Sequence, residues 1–196
     1  PPVDEWGLTL TFQLMVRDSG GLEDTDEVII TIQDNGISGF PAEAITFTSK
    51  TGKNMGVTMA DKAQLIYFDT LDPSSIEYNT NKPTNMIYGL LDMNIAVANL
   101  GDTTRVTFHL EAPAPAGYKW FKYSKIKGWY DFSDHAVFNA NRDQVTLTLV
   151  DGGAGDDDNM ANSKIKDPSG LGLAQSNPPS SGGGGGGCFI ALLSGY

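Results

Sequence analysis

Leu8-Thr9-Leu10-Thr11-Phe12-Gln13-Leu14-Met15-Val16 places apolar residues at every second position. This period of two predicts a β-strand with one buried face, because successive side chains of a strand point to opposite faces. Asp18-Ser19-Gly20-Gly21 follows and supplies the residue types that form turns. The sequence therefore predicts a strand that ends in a tight loop.

A second strand follows this loop. Val28, Ile30 and Ile32 again occupy every second position, and Asp34-Asn35-Gly36 ends the pattern. Two strands alone are marginally stable in water, because each leaves an edge unpaired and a face uncovered. Residues 1–35 are therefore predicted to form a strand pair that needs other strands.

Residues 36–170 have a different composition. Short runs rich in β-branched and aromatic residues alternate with Gly, Pro, Asn and Asp at intervals typical of a sandwich. No stretch keeps a helical period over three turns. The runs that predict strands are residues 44–48, 56–59, 64–68, 87–98, 104–110, 118–123, 129–132 and 145–150. We predict an all-β fold, an antiparallel β-sandwich of the immunoglobulin-like or jelly-roll-like kind.

Charge and cysteine content exclude several classes of function. The chain carries 24 acidic and 13 basic side chains, for a formal net charge of -11. A nucleic acid or an anionic membrane surface would repel it, so neither is an expected partner. Cys188 is the single cysteine and cannot form an internal disulfide. No apolar run approaches the ~20 residues of a membrane-spanning helix, and no signal peptide opens the sequence.

The C-terminal part is predicted to be a tethered tail. Residues 171–187 are rich in Pro, Ser and Gly, which is the composition of a flexible linker. Residues 188–196 form a short apolar segment that begins Cys188-Phe189-Ile190-Ala191-Leu192-Leu193. This segment is predicted to be an anchor, a processing signal or a docking strand.

Two parts of the sequence resemble bacterial surface domains. The strand pair resembles the last two strands of immunoglobulin-like repeats of the PKD and cadherin-like kind. Residues 36–170 resemble the choice-of-anchor U domain family, and the Gly run before Cys188 resembles the endings that follow that family. The motifs are Gly39-Phe40-Pro41, Ile45-Thr46-Phe47-Thr48, Gly128-Trp129-Tyr130-Asp131-Phe132-Ser133, Phe138-Asn139-Ala140 and the stretch from Val145 to Asp156. The resemblance implies an exported, β-rich domain that precedes a cell-surface tail and has no established enzymatic activity.

The sequence offers few candidate catalytic residues. The histidines are His109, in a predicted strand, and His135, which follows Ser133-Asp134 in a predicted turn. A Ser-His-Asp site is conceivable from these residues, but no Gly-x-Ser-x-Gly elbow accompanies them. The glycines before Cys188 supply no charge that would lower the pKa of its thiol. We therefore predict a protein that is not an enzyme.

A calcium site is the predicted cofactor site. Calcium prefers six to eight oxygen ligands, and clustered carboxylates on a Gly-rich loop can supply several of them. The alternative interpretation of this loop is a solvated acidic loop without a cation. A weaker second candidate for calcium binding is the cluster of Asp18, Glu23, Asp24 and Asp26. The candidate calcium ligands are Asp151, Asp156, Asp157, Asp158, Asn159 and Asp167.

An aromatic segment suggests a second kind of binding site. Tyr118-Lys119-Trp120-Phe121-Lys122-Tyr123 and the rings that begin at Trp129 could stack on sugar rings. Because aromatic residues fall on both faces of the predicted strand, at least one of the two faces must be buried. Packing in the core of a sandwich, with lysines at an edge, is the favoured interpretation.

These observations predict a non-catalytic structural or adhesive subunit of a bacterial extracellular assembly, such as a surface appendage or filament. A homo-oligomer or filament would form by docking of strands or tails between copies. The alternative is a carbohydrate-binding module of a larger exported protein. The residues predicted to mediate assembly are Leu8, Leu10, Phe12, Leu14, Val28, Ile30, Ile32, Cys188, Phe189, Ile190, Leu192 and Leu193.

Overall fold

The computed structural model describes residues 7–33, 36–76 and 80–175. These residues form strands and two single-turn 3-10 helices, Pro73–Ser75 and Ser133–His135, and no helix among them could cross a membrane. The predicted all-β class is confirmed. The strands are β1 (Gly7–Arg17), β2 (Glu23–Gln33), β3 (Ile45–Thr48), β4 (Asn54–Met59), β5 (Gln64–Leu71), β6 (Leu90–Ala96), β7 (Thr103–Leu110), β8 (Tyr118–Ser124), β9 (Gly128–Asp131), β10 (Ala136–Phe138), β11 (Gln144–Val150) and β12 (Lys164–Leu173).

Two five-stranded antiparallel sheets form a sandwich. The first sheet has the order β10-β11-β7-β4-β3, and the second has the order β5-β6-β12-β8-β9. Aromatic rings of the two sheets meet in the space between the sheets. Phe108 stacks on Trp120 with ring centroids 4.8 Å apart, and the ring centroids of Phe47 and Phe68 are 4.3 Å apart. The predicted face-to-face packing of two sheets is confirmed.

Strand alternation builds the core between these sheets. In β11, Val145, Leu147 and Leu149 are fully buried, whereas the residues between them are partly exposed. Met93 and Ile95 of β6 face them as fully buried residues of the second sheet. Complete burial of such a side chain stabilises the fold by about 1.5–3 kcal/mol. The period of two in the sequence therefore corresponds directly to the buried face of each strand.

The structure adds β10 and β12, which we did not predict. Pro168, Gly170 and Gly172 make the sequence of β12 look unlike a strand, because proline cannot donate to a ladder and glycine has no side chain to pack. β12 nevertheless lies at the centre of the second sheet. It pairs with β6 up to Ser169 and with β8 from Ser169 to Leu173, so Pro168 precedes the ladder with β8.

The end of β12 corrects a predicted boundary. We placed the end of the sandwich at residue 170 and a linker at residues 171–187, but β12 continues to Leu173. A Cβ at Gly170 would lie 2.5 Å from the backbone oxygen of Gly89, so the chain before β6 crosses directly over β12 here. Cys188, Phe189, Ile190, Leu192 and Leu193 lie outside the described residues, and the predictions on them stay predictions.

The N-terminal strand pair is present as a separate two-stranded sheet, hereafter the ribbon (β1 and β2). Its antiparallel register pairs Phe12 with Val28 and Leu14 with Asp26, and the ladder continues through Leu10 with Ile30 and Leu8 with Ile32. Residues that pair directly share one face of a sheet. Phe12, Leu14 and Val28 therefore lie together on one face, hereafter the apolar face, and Asp26, opposite Leu14, lies on it with Asp24, opposite Val16.

Neither face of the ribbon is covered between residues 11 and 29. All residues from 11 to 29 are exposed, and the exposed fraction of Leu14 is 65%. The turn between the strands is fastened by Asp18, whose side chain accepts a hydrogen bond from the backbone N–H of Leu22 at 2.9 Å. The apolar face is thus presented to solvent by a well-formed hairpin.

Candidate functional site

The acidic loop between β11 and β12 is built around a buried carboxylate. Asp151 accepts hydrogen bonds at Oδ2 from the backbone N–H groups of Gly101 (2.8 Å) and Ser163 (2.9 Å). Its Oδ1 accepts from those of Asn162 (3.1 Å) and Lys164 (3.2 Å). Burial raises the pKa of Asp151, but these N–H groups outweigh it, so the pKa lies below its usual value. Asp151 joins the two ends of the loop.

Two further carboxylates bind the backbone of the same loop. Asp156 is buried and accepts from the N–H groups of Gly152 at 2.8 Å and Lys166 at 3.0 Å. Asp158, at the exposed end of the loop, accepts from the N–H of Met160 at 2.8 Å. Carboxylates that bind backbone N–H groups make strong, charge-assisted hydrogen bonds. The acidic loop therefore holds its conformation through its own carboxylates.

The predicted calcium ligands do not form one cluster. Asp157 and Asn159 line an open cleft beside the loop, whereas Asp167 is fully buried in the core. In residues 7–33, 36–76 and 80–175, no group of three acidic, histidine or cysteine side chains is placed to hold a metal ion. The hydrogen bonds of Asp151 and Asp156 favour the alternative of a structural acidic loop, and calcium binding stays a prediction.

Asp167 instead belongs to a buried ion pair. Its Oδ1 lies 2.7 Å from Nζ of Lys122, and both side chains have an exposed fraction of 0%. Lys122 Nζ also donates to the backbone oxygen of Gly155 and lies 5.2 Å from the ring centroid of Phe132. The acidic loop thus closes over a lysine that lies between the two sheets.

Sequence reasoning did not find this pair. We expected the lysines of β8 to lie at an edge, but Lys122 is in the core, which corrects that expectation. The alternation in β8 places Lys122 on the same face as Trp120, and Trp120 is the ring that packs against the opposite sheet. This shared face was the available signal. The partner was hidden because Asp167 lies in β12, the strand that the sequence did not predict.

A cleft of about 360 Å³ lies beside the acidic loop. Its walls include Tyr130, Asp131, Asp134 and His135. Burial, followed by the charges of Asp167 and Asp157, raises the pKa of Tyr130 to about 12, so its phenol stays protonated. The His135 ring stacks on Phe132, with centroids 4.8 Å apart.

The two histidines are not brought into one catalytic arrangement. His109 lies in β7, where Nε2 is 3.1 Å from Oγ1 of Thr58, and its pKa is lowered by burial against the opposing charges of Glu43 and Asp143. In the described part of the chain, neither histidine ring forms a hydrogen bond with a carboxylate. The residues that suggested a Ser-His-Asp site therefore do not form one.

The aromatic segment packs in the core, as the favoured interpretation predicted. Trp120 is fully buried between the sheets, and Phe121 and Trp129 are buried in a smaller cluster on the outer face of the second sheet. Tyr123 lies against Trp129 with centroids 5.0 Å apart. The rings proposed to stack on a sugar are therefore not available as an exposed row.

Comparisons with family models, curated proteins and solved structures give no match to this chain. The resemblance of residues 36–170 to the choice-of-anchor U domain family stays a prediction.

Proposed function

We propose that the chain is a non-catalytic structural or adhesive subunit of a bacterial extracellular assembly, in which the ribbon of one copy docks on the sandwich of the next. One observation carries the proposal: the apolar face, with Phe12, Leu14 and Val28, is exposed on an isolated pair of strands. Monomeric proteins rarely leave a contiguous apolar patch on a strand pair uncovered.

The docking mode follows from the unpaired groups of the ribbon. Among the described strands each strand of the ribbon has one neighbour, so one edge of each has N–H and C=O groups that no described strand pairs. Addition to an edge strand of another sheet would pair one of these rows, as in strand-addition complexes. Strand addition extends a sheet within its plane, so the apolar face would be covered where it continues the inner face of the sandwich and packs on the opposite sheet. Each side chain fully buried there would contribute about 1.5–3 kcal/mol.

The partner surface we propose is the β9 edge of a second copy of this chain. β9 is an edge strand of the second sheet, where the backbone N–H of Trp129 already donates to the backbone oxygen of Thr80 at 3.1 Å, so added strands would pair with the other groups of this edge. The turn before β9, residues 125–127, is exposed. Ile126 in this turn is 87% exposed and is flanked by Lys125 and Lys127. Asp24 and Asp26 of the ribbon carry the complementary charge.

This contact joins two different surfaces of the same chain. Such a heterologous contact leaves both surfaces free at the ends of a dimer, so further copies can add and an open filament results. Charge complementarity between Asp24 and Asp26 on one copy and the two lysines on the next would set the orientation of docking.

The first test uses a matched pair of substitutions on the two faces of β1. Leu14→Asp places a charge on the apolar face, whereas Gln13→Asp places the same charge on the opposite, exposed face. We expect wild type and Gln13→Asp to assemble at high protein concentration, as measured by light scattering and electron microscopy. Leu14→Asp should stay monomeric. A wild-type protein that is monomeric at every concentration would refute the proposal.

A charge exchange tests the partner surface. We expect assembly to be lost in an Asp24→Lys, Asp26→Lys variant and in a Lys125→Glu, Lys127→Glu variant. The protein that carries all four changes should assemble again, because the opposite charges then meet in reversed positions. If the four-fold variant does not recover, the ribbon docks somewhere other than the β9 edge.

A further inference from the structure

The buried pair of Lys122 and Asp167 has the components of an amide bond. Lys122 lies directly opposite Ser169 in the ladder between β8 and β12, and Asp167 is two residues from Ser169 on the same face of β12. This diagonal arrangement brings Nζ to 2.7 Å from Oδ1 of Asp167. An amine and a carboxyl group are thus held in contact, on adjacent strands, in a site that excludes water.

We propose that Lys122 and Asp167 condense to an amide, so that a covalent isopeptide bond joins β8 to β12. The proposal stands independently of the assembly function, because it concerns the core of the sandwich.

The condensation balances without any further reagent. In a site of low polarity, a proton passes from the Lys122 ammonium to the carboxylate along their hydrogen bond, which removes both charges. The Nζ lone pair then attacks Cγ of Asp167, and the Cγ–N bond forms as one Cγ–O bond breaks. The oxygen leaves as water with two of the three ammonium protons, and the third stays on the amide nitrogen. No atom is oxidised or reduced.

The surroundings favour the amide over the ion pair. Asp167 Oδ2 is buried and has no hydrogen-bond partner among the described residues. A buried ionised group that lacks part of its hydrogen bonding is costly. The amide has one oxygen fewer and no charge, and its N–H can still donate to the carbonyl oxygen of Gly155, which already accepts from Nζ.

The acidic loop positions the nucleophile and keeps the site dry. Gly155 has φ of 85°, and a Cβ there would lie 2.4 Å from Leu149 and 3.4 Å from Nζ of Lys122. Only glycine lets the backbone come this close to the lysine. Holding reacting groups together in this way replaces an encounter in solution with an intramolecular step, and exclusion of water protects the amide from hydrolysis.

β8 carries an internal control for this chemistry. Lys119 Nζ lies 2.6 Å from Oδ2 of Asp131, which is as close as the buried pair, but the two side chains have exposed fractions of 48% and 42%. In water both groups stay ionised, and the ammonium is not a nucleophile. We expect no bond between Lys119 and Asp131.

Intact-mass spectrometry of the denatured full-length protein tests the proposal. We expect a mass lower than that of the sequence by one water molecule, and the full mass for Asp167→Ala. Trypsin should then yield a branched peptide of residues 120–125 and 167–196, which arises only if Lys119 is cleaved and Lys122 is blocked. A succinimide at Asp151-Gly152 would also remove one water molecule but would give no branched peptide.

Two Asp-Pro bonds supply an independent readout. Mild acid cleaves such bonds with the help of the free aspartate carboxyl group, and the chain has one at Asp72-Pro73 and one at Asp167-Pro168. In denatured protein we expect cleavage at the first and resistance at the second. Full intact mass together with cleavage at both bonds would overturn the proposal, and this result needs no variant to fold.

Discussion

The ribbon and the sandwich are built from the same sequence pattern but have opposite surroundings. In β1, Phe12 and Leu14 occupy alternate positions, as Val145 and Leu147 do in β11. The residues of β11 are fully buried by the second sheet, whereas those of β1 are exposed. Alternation therefore specifies that a strand has an apolar face, and the number and arrangement of neighbouring strands decide whether that face is covered.

The two regions also use their acidic residues differently. Asp151 and Asp156 lie at the end of the sandwich, where they are buried and accept hydrogen bonds from backbone N–H groups. Asp24 and Asp26 of the ribbon are exposed, and among the described residues each binds the N–H of the next residue. The acidic residues of the loop thus stabilise the fold, whereas those of the ribbon are available to bind a partner.

Replacing a leucine by aspartate should have the largest difference in effect between the sandwich and the ribbon. Leu147→Asp places a carboxylate in the fully buried core, and we expect it to destabilise the sandwich by more than about 4 kcal/mol. Leu14→Asp lies on the exposed ribbon and should change the free energy of unfolding by no more than about 0.5 kcal/mol. Urea denaturation of the monomer measures both. Comparable losses would mean that the ribbon is packed on the sandwich.

Gly155→Ala should have the next largest effect. The added Cβ would lie 2.4 Å from Leu149 and 2.9 Å from Phe132, and the residue has φ of 85°. We expect a loss of about 4 kcal/mol from overpacking and backbone strain together. Gly52→Ala is the control, because Gly52 has φ of 78° but nothing within 4 Å of its Cβ position. Gly52→Ala should destabilise the sandwich by about 1 kcal/mol. Equal losses of stability in the two variants would show that the acidic loop rearranges to accommodate the added Cβ.

Asp151→Asn should destabilise the sandwich by about 3 kcal/mol at neutral pH, because an amide group cannot accept all four N–H donors. The pKa of Asp151 is lowered in the folded state, so its contribution is complete above the unfolded pKa of about 3.9 and is lost as the pH falls through the lower folded value. The difference between wild type and variant should therefore shrink below about pH 4.

Asp61→Asn is the control for this pH dependence. Asp61 is exposed and lies 3.8 Å from Arg105 in a surface ion pair, which should contribute little. Thermal melts of the three proteins between pH 3 and pH 7 make the comparison. A difference between wild type and Asp151→Asn that stays constant over this range would show that the pKa of Asp151 is the same in the folded and unfolded states.

Sequence reasoning reached most of the fold and little of the site. The eight runs predicted between residues 44 and 150 each overlap one strand of the sandwich, because their alternation or β-branched content is a local property. β12 was missed because Pro168 and Gly170 are tolerated only through the pairing of that strand with its neighbours, which is not a local property. The partner of Lys122 was missed for the same reason, since Asp167 lies in β12.

Calcium removal should have the smallest effect. Asp151 and Asp156 direct their oxygens at backbone N–H groups, and Asp167 binds Lys122, so only Asp157, Asp158 and Asn159 of the predicted ligands remain toward solvent. A cation that has so few ligands binds weakly. Weak binding stabilises the folded state only slightly, because the gain depends on the cation concentration relative to the dissociation constant. We expect EDTA to change the melting temperature by less than about 2 °C, and CaCl₂ to be equally ineffective. A larger fall with EDTA that is reversed by calcium and abolished by Asp157→Asn with Asp158→Asn would instead establish a calcium site on the exposed rim of the loop.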